Sequence, residues 1–465
     1  MEPTSRFLYL QAICAVILLM PVGSAYSQNC PSSPVPTITS SQIPADVCIP
    51  QSFPDNALPI EFFDDYSWRS FIAVVWPAAN GQRGRPDTSK SVTDSGPRVF
   101  ETFKFIWETF HNDGSAPAAW NTYDSAHFNA CNVVASFGNL ILGSFSKFSD
   151  LGQAGVGSLV GPLVAQNRTY VRFTTGFNEI EFNQILNGKL YLRSNLPMAA
   201  PFQDGALDVK SAWILMTNIS HPERYYTRTA MVLDPQSGTC SPVTVGLVGL
   251  HIVQKTPSRP QWIWSTFEQV DNVPPGIADS PGTFNFNDGK GGAMQTPNPY
   301  PIDPLILPTP APFNVERLVS APINASTANT NSKYRNLLKG VGSVWQFYQL
   351  VMTQWPIPVS KPSLPGTPSN TFPGNNPSSA FANVTMETFD QDKITHGCMN
   401  CHNFTRVQTD FLWSLNDHAF PANVPSFLFR DTAFRELKNL LTATAPAIKL
   451  TPTATTQPAA EPIPK

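Results

Sequence analysis

The stretch VTVGLVGLHIV, residues 243–253, is the longest of six apolar runs that have the character of β-strands. The other runs lie at residues 170–173, 190–192, 212–215, 226–233 and 261–264. Pro, Gly and Asn residues separate the runs, as they do at the turns between strands. The pattern therefore predicts an antiparallel sheet or sandwich in this part of the chain.

Helical spacing of apolar residues flanks this region on both sides. Residues 59–76 and 98–110 repeat their apolar side chains every three or four positions, and residues 333–352 do so after the predicted sheet. Shorter helices are predicted at residues 410–415 and 432–441. The predicted fold class is α+β, with a sheet-rich N-terminal region and flanking helices followed by a mainly helical C-terminal region.

Composition and charge narrow the classes of protein. The chain has 465 residues, of which 42% are hydrophobic and 14% charged, which is enough for two domains or one large elaborated domain. The 31 Phe and 10 Trp provide the apolar mass that a disordered chain lacks. A net charge of -3 gives no basic field, so neither nucleic acid nor an anionic membrane surface is expected as a partner.

The first 25 residues have the layout of a cleaved secretory signal. Arg6 precedes an apolar run at residues 7–22, and residues 23–25 are small, as signal peptidase requires. An uncleaved anchor is the alternative, because Glu2 offsets the charge of Arg6. No later stretch reaches the roughly 18 consecutive apolar residues of a membrane span. The mature chain is therefore expected to be periplasmic or secreted, with no stable membrane span.

Composition also predicts the domain boundaries. Residues 274–312 have little periodicity and are rich in Pro, Gly and Asn, which is typical of a connection between two units. The predicted divisions are a signal at 1–25, a sheet-rich domain at 26–313, a second domain at 314–441 and a disordered tail at 442–465.

Seven cysteines are present, one of them inside the predicted signal. In an oxidising compartment, the next four are expected to form two disulfides. The simplest pairing joins Cys30 to Cys48 and Cys131 to Cys240, although four cysteines allow three connectivities. The last two cysteines belong to a separate motif.

That motif is CMNCH at residues 398–402, which has the C-x-x-C-H spacing of covalent c-type haem attachment. Two intervening residues let both thiols reach the two haem vinyl groups, and the adjacent histidine is then held beneath the iron. In these five residues the chain resembles the c-type cytochromes. The resemblance implies one covalent haem c, with Cys398 and Cys401 as thioether sites, His402 as the proximal iron ligand, and residues 314–441 as the haem domain.

Two other uses of the motif are open. A redox disulfide normally follows a strand in a thioredoxin-like unit, whereas Asn and Pro dominate the residues before Cys398. A structural zinc ion needs four ligands, and neither a second cysteine pair nor a close histidine pair is spare. The chain also departs from the small electron-carrier cytochromes, because no methionine follows Met399 to serve as the second axial ligand.

A sixth iron ligand has several candidates in the sequence. His418 leads, because it follows a short apolar helix that can turn the chain over the opposite face of the haem. Met386, Met352 and His251 are the other candidates, each of which has the alternative of simply filling the core. An iron site open to water or substrate is the remaining possibility.

Two carboxylate pairs are weaker signals of a site. Glu179 and Glu181, two residues apart, would share a face if they lay on a strand, and Glu268 and Asp271 would line a pocket or cap a loop. A solvated surface is the simpler interpretation of both pairs.

The expected function is one-electron redox chemistry, in which the haem exchanges electrons with a redox partner protein or a small-molecule donor or acceptor. The first alternative is a haem enzyme with an open iron site that acts on peroxide or oxygen. The second is a non-enzymatic binding or sensing scaffold with structural haem. Six-coordinate low-spin iron would indicate the carrier, exchangeable high-spin iron the enzyme, and a folded chain without haem the scaffold.

Overall fold

The computed structural model describes most of the predicted sheet-rich region and parts of the C-terminal region. The described residues are 30–50, 60–123, 131, 133–134, 136–142, 163–198, 201–234, 239–274, 283–290, 312–318, 322–355, 383–388, 391, 398, 402, 405 and 409–421. The predicted signal, the helix predicted at 432–441, the predicted tail and Cys401 lie outside these residues.

Eight strands of the described chain form one mixed sheet. They are β1 (Lys104–Phe105), β2 (Leu140–Leu142), β3 (Arg172–Phe177), β4 (Leu207–Leu215), β5 (Thr227–Asp234), β6 (Thr239–Thr256), β7 (Arg259–Gln269) and β8 (Tyr348–Gln354). Their order is β1-β3-β4-β6-β5-β2, and β7 pairs with both β6 and β8. The pairs are antiparallel, as predicted, except that β2 and β5 are parallel.

Strand β6 lies at the centre of the sheet. Val245 pairs with Leu215 of β4 and with Arg228 of β5, so these two strands lie on opposite edges of β6. At Leu250, β4 is still on the first edge, but β7 has replaced β5 on the second. The sheet therefore divides into two branches, because the second edge of β6 pairs first with β5 and further along with β7. The run at 243–253 is apolar because it is buried between paired strands on both of its edges.

Five α-helices lie among the described residues. They are α1 (Ile60–Val74), α2 (Ile106–Thr109), α3 (Glu179–Asn187), α4 (Ala325–Gly340) and α5 (Trp413–His418), with 3-10 turns at Val99–Thr102, Arg193–Met198, Pro222–Arg224 and Val344–Phe347. Trp68 of α1 is fully buried, stacks on Tyr334 of α4 at 5.0 Å between centroids, and meets Phe267 of β7 edge-on at 5.1 Å. The helix predicted at 59–76 is thus confirmed as α1.

The helix predicted over residues 98–110 is wrong, because this segment contains a 3-10 turn, strand β1 and the single-turn α2. The carboxylates of Glu101 and Glu108 accept hydrogen bonds from the backbone N–H groups of Arg98 (2.6 Å) and Phe105 (3.0 Å). Each carboxylate caps its own turn, so the chain restarts instead of continuing as one helix.

The helix predicted over residues 333–352 is correct only in its first half. Asn324 caps the start of α4 by accepting a hydrogen bond from Ser326 N at 2.8 Å, and Gly342 follows the helix with φ +69°. After Gly342, residues 344–347 form a 3-10 turn, and the apolar residues from Tyr348 onward belong to β8, which pairs with β7. Strand pairing at a sheet edge, which has no local signal, decides the structure of this second half.

Residues near Leu192 hold the C-terminal end of the described chain. The strand predicted at 190–192 is reduced to a single bridge between Leu192 and Phe420. The guanidinium of Arg193 donates to the carbonyl oxygens of Asn416 and Pro421, each at 2.7 Å. These bonds fix α5 against the sheet-rich region.

The predicted division at residue 313 passes between elements that contact one another. Strand β8 extends the same sheet as β7, and α4 packs on α1. The described residues of 314–441 form α4, β8 and α5, so a separate and mainly helical domain stays a prediction.

Both predicted disulfides are present in the structure. Cys30 is bonded to Cys48 and Cys131 to Cys240, and the Cα atoms of each pair are 5.5 Å apart. The second bond attaches residue 131 to the first part of β6.

No helix among the described residues is both long and apolar enough to cross a bilayer.

Candidate cofactor site

His402 is held by one backbone oxygen and one aromatic ring. Its Nδ1 lies 2.7 Å from the carbonyl oxygen of Phe411, and its ring centroid lies 4.2 Å from that of Trp264. A carbonyl oxygen can only accept, so Nδ1 carries the hydrogen and Nε2 keeps its lone pair. Histidines that bind metals commonly donate their other ring N–H in this way. Nε2 is therefore the atom that His402 offers to a metal.

The surroundings keep the imidazole of His402 neutral. Burial lowers its pKa to about 4, against the effect of the hydrogen bond to Phe411. The nearby His251 and Lys210 also lower this pKa, and the carboxylate of Glu387 raises it. A neutral imidazole is the form that binds iron.

The motif fits a c-type haem in the part that the structure describes. Cys398 is half-buried and packs against the main hydrophobic core, and Cys401 lies outside the described residues. A neutral histidine that is fixed at Nδ1 and has its Nε2 lone pair available is the donor that a haem iron requires. Among the described residues, no group of three His, Cys, Asp or Glu side chains is arranged to hold a separate metal ion.

The turn that presents the Phe411 carbonyl has an unusual backbone. Asp410 and Phe411 have φ values of +48° and +76°, in the left-handed region that residues other than glycine rarely occupy. Such conformations cost about 1–3 kcal/mol each and persist where the surrounding contacts enforce them. The Asp410 carboxylate forms an ion pair with Lys255 and accepts a hydrogen bond from Phe202 N at 2.8 Å. Contacts from the sheet-rich region therefore hold the turn.

Five side chains form a row across the strands on one face of the sheet. Cross-strand pairing aligns Thr175, Lys210, His251, Thr266 and Met352, one each from β3, β4, β6, β7 and β8. Trp264 lies two residues from Thr266 on β7 and so shares this face. Because Trp264 contacts His402, the row and the motif belong to one site.

His251 and Glu387 form an imidazole–carboxylate pair within this site. His251 Nε2 lies 3.3 Å from Glu387 Oε1, and the other oxygen of Glu387 accepts a hydrogen bond from Asn383 N at 2.9 Å. Burial acts to raise the pKa of Glu387, but His251 and Lys210 together hold it below its usual value. Burial also lowers the pKa of Lys210. The pair has the composition of a proton donor and acceptor.

The four candidates for a sixth ligand lie in different elements. His418 ends α5, is 8% exposed, and has its pKa lowered to about 4 by burial, so it too is neutral. His251 and Met352 share the row across the sheet. Met386 lies in a second apolar cluster. The structure thus places His251 and Met352 on one face of the sheet, with Thr266 between them, and His418 on a separate helix.

The prediction that Glu179 and Glu181 share a strand face is wrong, because both lie in the first turn of α3. Asn178 caps this helix by accepting a hydrogen bond from Glu181 N at 3.0 Å. Residues two apart on a helix point in different directions. Accordingly, Glu179 is half-buried and pairs with Arg85 at 2.8 Å, whereas Glu181 is fully buried.

The second predicted carboxylate pair holds loops in place. Glu268 forms an ion pair with Arg317 and accepts a hydrogen bond from Gln349 at 3.1 Å. Asp271 pairs with Arg224 at 2.6 Å. These contacts account for both carboxylates structurally.

Four charged residues are buried near one another, and only Glu181 among them was a candidate from the sequence. Glu181, Asp208, Asp410 and Lys255 are all less than 9% exposed. Burial raises the pKa of Glu181 well above its usual value, and the nearby Asp208 and Asp410 add to this effect. The available signal was a charged residue inside or beside an apolar strand, as at Asp208 and Lys255.

Comparison with known proteins gives no relative for this chain. No family model matches it, and neither a curated protein nor a solved structure does.

Proposed function

We propose that this chain is an exported monohaem c-type cytochrome that carries out one-electron redox chemistry. Cys398 and Cys401 would hold one covalent haem c, with His402 as the proximal ligand. The observation that carries the proposal is the hydrogen bond of 2.7 Å from His402 Nδ1 to the Phe411 carbonyl, within a C-x-x-C-H motif. It supports the proposal because it orients a neutral ring and leaves Nε2 for iron.

A bound haem supplies a one-electron couple between ferric and ferrous iron. The chain's own residues would set its potential. His402 would bind through Nε2, Phe411 fixes the other ring nitrogen, and Trp264, which is 3% exposed, shields one side of the imidazole from water. His418 is the proposed sixth ligand.

The cellular setting is part of the proposal. The two disulfides and the signal-like residues 1–25 support a periplasmic or secreted protein. Electrons would be exchanged with a redox partner protein or with a small-molecule donor or acceptor.

The pair of His251 and Glu387 favours a second candidate function, a haem enzyme with an open iron site acting on peroxide or oxygen. Such an enzyme needs a group that moves protons, and the charges of both residues reach His402. High-spin iron that binds added ligands in the purified protein would favour the enzyme over the carrier.

The proposal is tested by asking whether the haem is covalent. The full chain is produced in a host that matures c-type cytochromes and is treated with acid-acetone, which extracts haem unless thioether bonds hold it. We expect the colour and the added haem mass to stay with the protein and to be lost in Cys398→Ala/Cys401→Ala. Cys131→Ala/Cys240→Ala, which removes a disulfide instead, is the matched control and should keep the haem. Complete extraction from the wild type would overturn the proposal.

A further inference from the structure

The turn that holds His402 is itself held by an ion pair. We propose that Lys255 and Asp410 are positioning residues, which fix the Phe411 carbonyl against Nδ1 of His402 and thereby set the orientation and tautomer of the imidazole. The redox consequence of this arrangement rests on the proposed function, but the position of the ring does not.

Lys255 reaches the turn because the pairing of β6 and β7 is irregular at this point. The register shifts between Gln254 and Thr256, on either side of Lys255. On β7, Trp262 has φ +70°. Irregularities of this kind redirect side chains and are frequent beside functional sites. Here Lys255 Nζ lies 5.4 Å from the centroid of the Trp262 ring, and both side chains contact Asp410.

Unusual backbone conformations are concentrated where these residues meet. The described residues include seven non-glycine positions with positive φ, and three of them, Trp262, Asp410 and Phe411, are in this one group. Backbone strain of this kind persists only where surrounding contacts over-determine it, and it clusters at functional sites. The concentration indicates that the shape of the turn is enforced.

Asp410 is fixed both at its side chain and at its backbone. Its carboxylate contacts Lys255 Nζ and accepts from Phe202 N at 2.8 Å, and its carbonyl oxygen accepts from Trp262 Nε1 at 2.9 Å. The next carbonyl along the chain is that of Phe411, which accepts from His402 Nδ1. One residue therefore separates the anchored peptide from the peptide that holds the histidine.

Burial strengthens the electrostatic attraction between Lys255 and Asp410. Lys255 is 3% exposed and Asp410 is 6% exposed, so solvent screens their attraction little. Removal of one partner would leave the other charge buried without compensation, whereas removal of both charges is often tolerated. The double substitution is therefore the cleaner test of position.

Two consequences follow for the imidazole. With the turn in place, the Nδ1–H group of His402 is occupied by a carbonyl and exchanges slowly with water. Donation to that carbonyl also makes the histidine a stronger ligand, which favours ferric iron. Loosening the turn should thus speed exchange of the ring N–H and raise the reduction potential.

The experiment compares the wild type with Lys255→Met/Asp410→Asn and Lys255→Arg in the full-length protein. Nitrogen-15 NMR of labelled histidine, assigned by loss of the signal in His402→Gln, gives the tautomer and the exchange rate of the ring N–H. We expect the Nδ1–H tautomer in the wild type, exchange at least about tenfold faster in the double variant, and recovery in Lys255→Arg. The redox equilibrium constant should shift about tenfold toward the ferrous form, equivalent to 59 mV for one electron.

Arg83→Met/Glu108→Gln is the matched control, because it removes another buried ion pair, with Nη2–Oε1 at 2.9 Å, that braces residues 103–108 instead. It should leave the His402 tautomer, the exchange rate and the potential unchanged. The proposal is overturned if wild-type His402 carries its proton on Nε2, or if the folded double variant behaves as the wild type. A protein without covalent haem would refute the proposed function, yet the tautomer would still decide the role of Lys255 and Asp410.

Discussion

The indole Nε1 of Trp68 donates a hydrogen bond to Oδ1 of Asn331 over 3.0 Å, and this contact joins α1 to α4 inside the core. The same amide pairs with both backbone groups of Leu350 in β8, at 2.9 Å to its N–H and 2.8 Å to its carbonyl. Asn331 is 4% exposed, so three elements depend on one buried amide with its hydrogen bonds satisfied.

Asn331→Ala should therefore lower the free energy of unfolding by about 3 kcal/mol or more, because it leaves buried groups of Trp68 and Leu350 without partners. Urea unfolding followed by tryptophan fluorescence measures the change. Asn195→Ala is the control, since the side chain of Asn195 makes its hydrogen bonds at the surface, donating to the carbonyl of Lys189 and accepting from the hydroxyl of Ser194. That variant should change stability by no more than about 0.5 kcal/mol. Equal losses in the two variants would contradict the role assigned to Asn331.

A second prediction concerns pH. Burial raises the pKa of Asp64 to about 7, although the hydrogen bond that Thr353 donates at 2.8 Å opposes the shift. The folded state therefore binds this proton more tightly than the unfolded state, whose pKa is about 4. The contribution of Asp64 to stability is complete below about pH 4 and is lost as the pH rises toward about 7, at up to about 1.4 kcal/mol per pH unit.

Asp64→Asn should remove this loss, so the variant gains stability relative to the wild type as the pH rises from about 4 to about 7. Urea unfolding at several pH values measures the difference. Asp94→Asn is the matched control, because Asp94 is exposed and hydrogen bonds from Ser91 lower its pKa. The wild-type decline between about pH 4 and about pH 7 should persist in the control, and a decline that also persists in Asp64→Asn would exclude Asp64 as its source.

Parts of the fold were predictable because their signals are local. The run at 243–253 is apolar because β6 has neighbours on both edges, and α1 shows helical spacing that ends before Pro77. Residues 98–110 and 333–352 have the same helical spacing. In these two segments the secondary structure depends on Glu101 and Glu108 as caps and on the pairing of β8 with β7.

The candidate site was predictable only where side chains in a fixed spacing define it. His402 is identified by its place in the motif, whereas its partner is the backbone oxygen of Phe411, which no residue type encodes. Lys255 is 155 residues from Asp410, and the shift of register between β6 and β7 brings them together. Contacts made by backbone atoms, and contacts that depend on irregular strand pairing, are hard to predict from residue types.

A third prediction uses the cysteines to test haem attachment and disulfides together. Of the seven cysteines, one would leave with the signal and two would be blocked by haem, so four should react after reduction. The mature protein is reduced, denatured and alkylated with iodoacetamide, and its intact mass is measured. Without reduction, no cysteine should be alkylated. Six alkylated cysteines after reduction would show that the motif carries no haem. In a protein that keeps its haem, any alkylation before reduction would contradict the pairing.

The last prediction concerns His418 as the sixth ligand. Burial lowers its pKa to about 4, so the imidazole is neutral and ready to bind iron at physiological pH. Ligation by two histidines should give low-spin iron in both oxidation states and a lower potential than ligation by histidine and methionine. His418→Ala should then bind carbon monoxide or cyanide, which the absorption spectrum reports. His111→Ala is the control, because His111 is also buried and has Ser115 within 2.8 Å of its Nδ1. A low-spin spectrum that is unchanged in His418→Ala would assign the sixth position to Met386, Met352 or His251 instead. A high-spin wild type would favour the enzyme, because an iron with five ligands leaves its sixth position to the substrate.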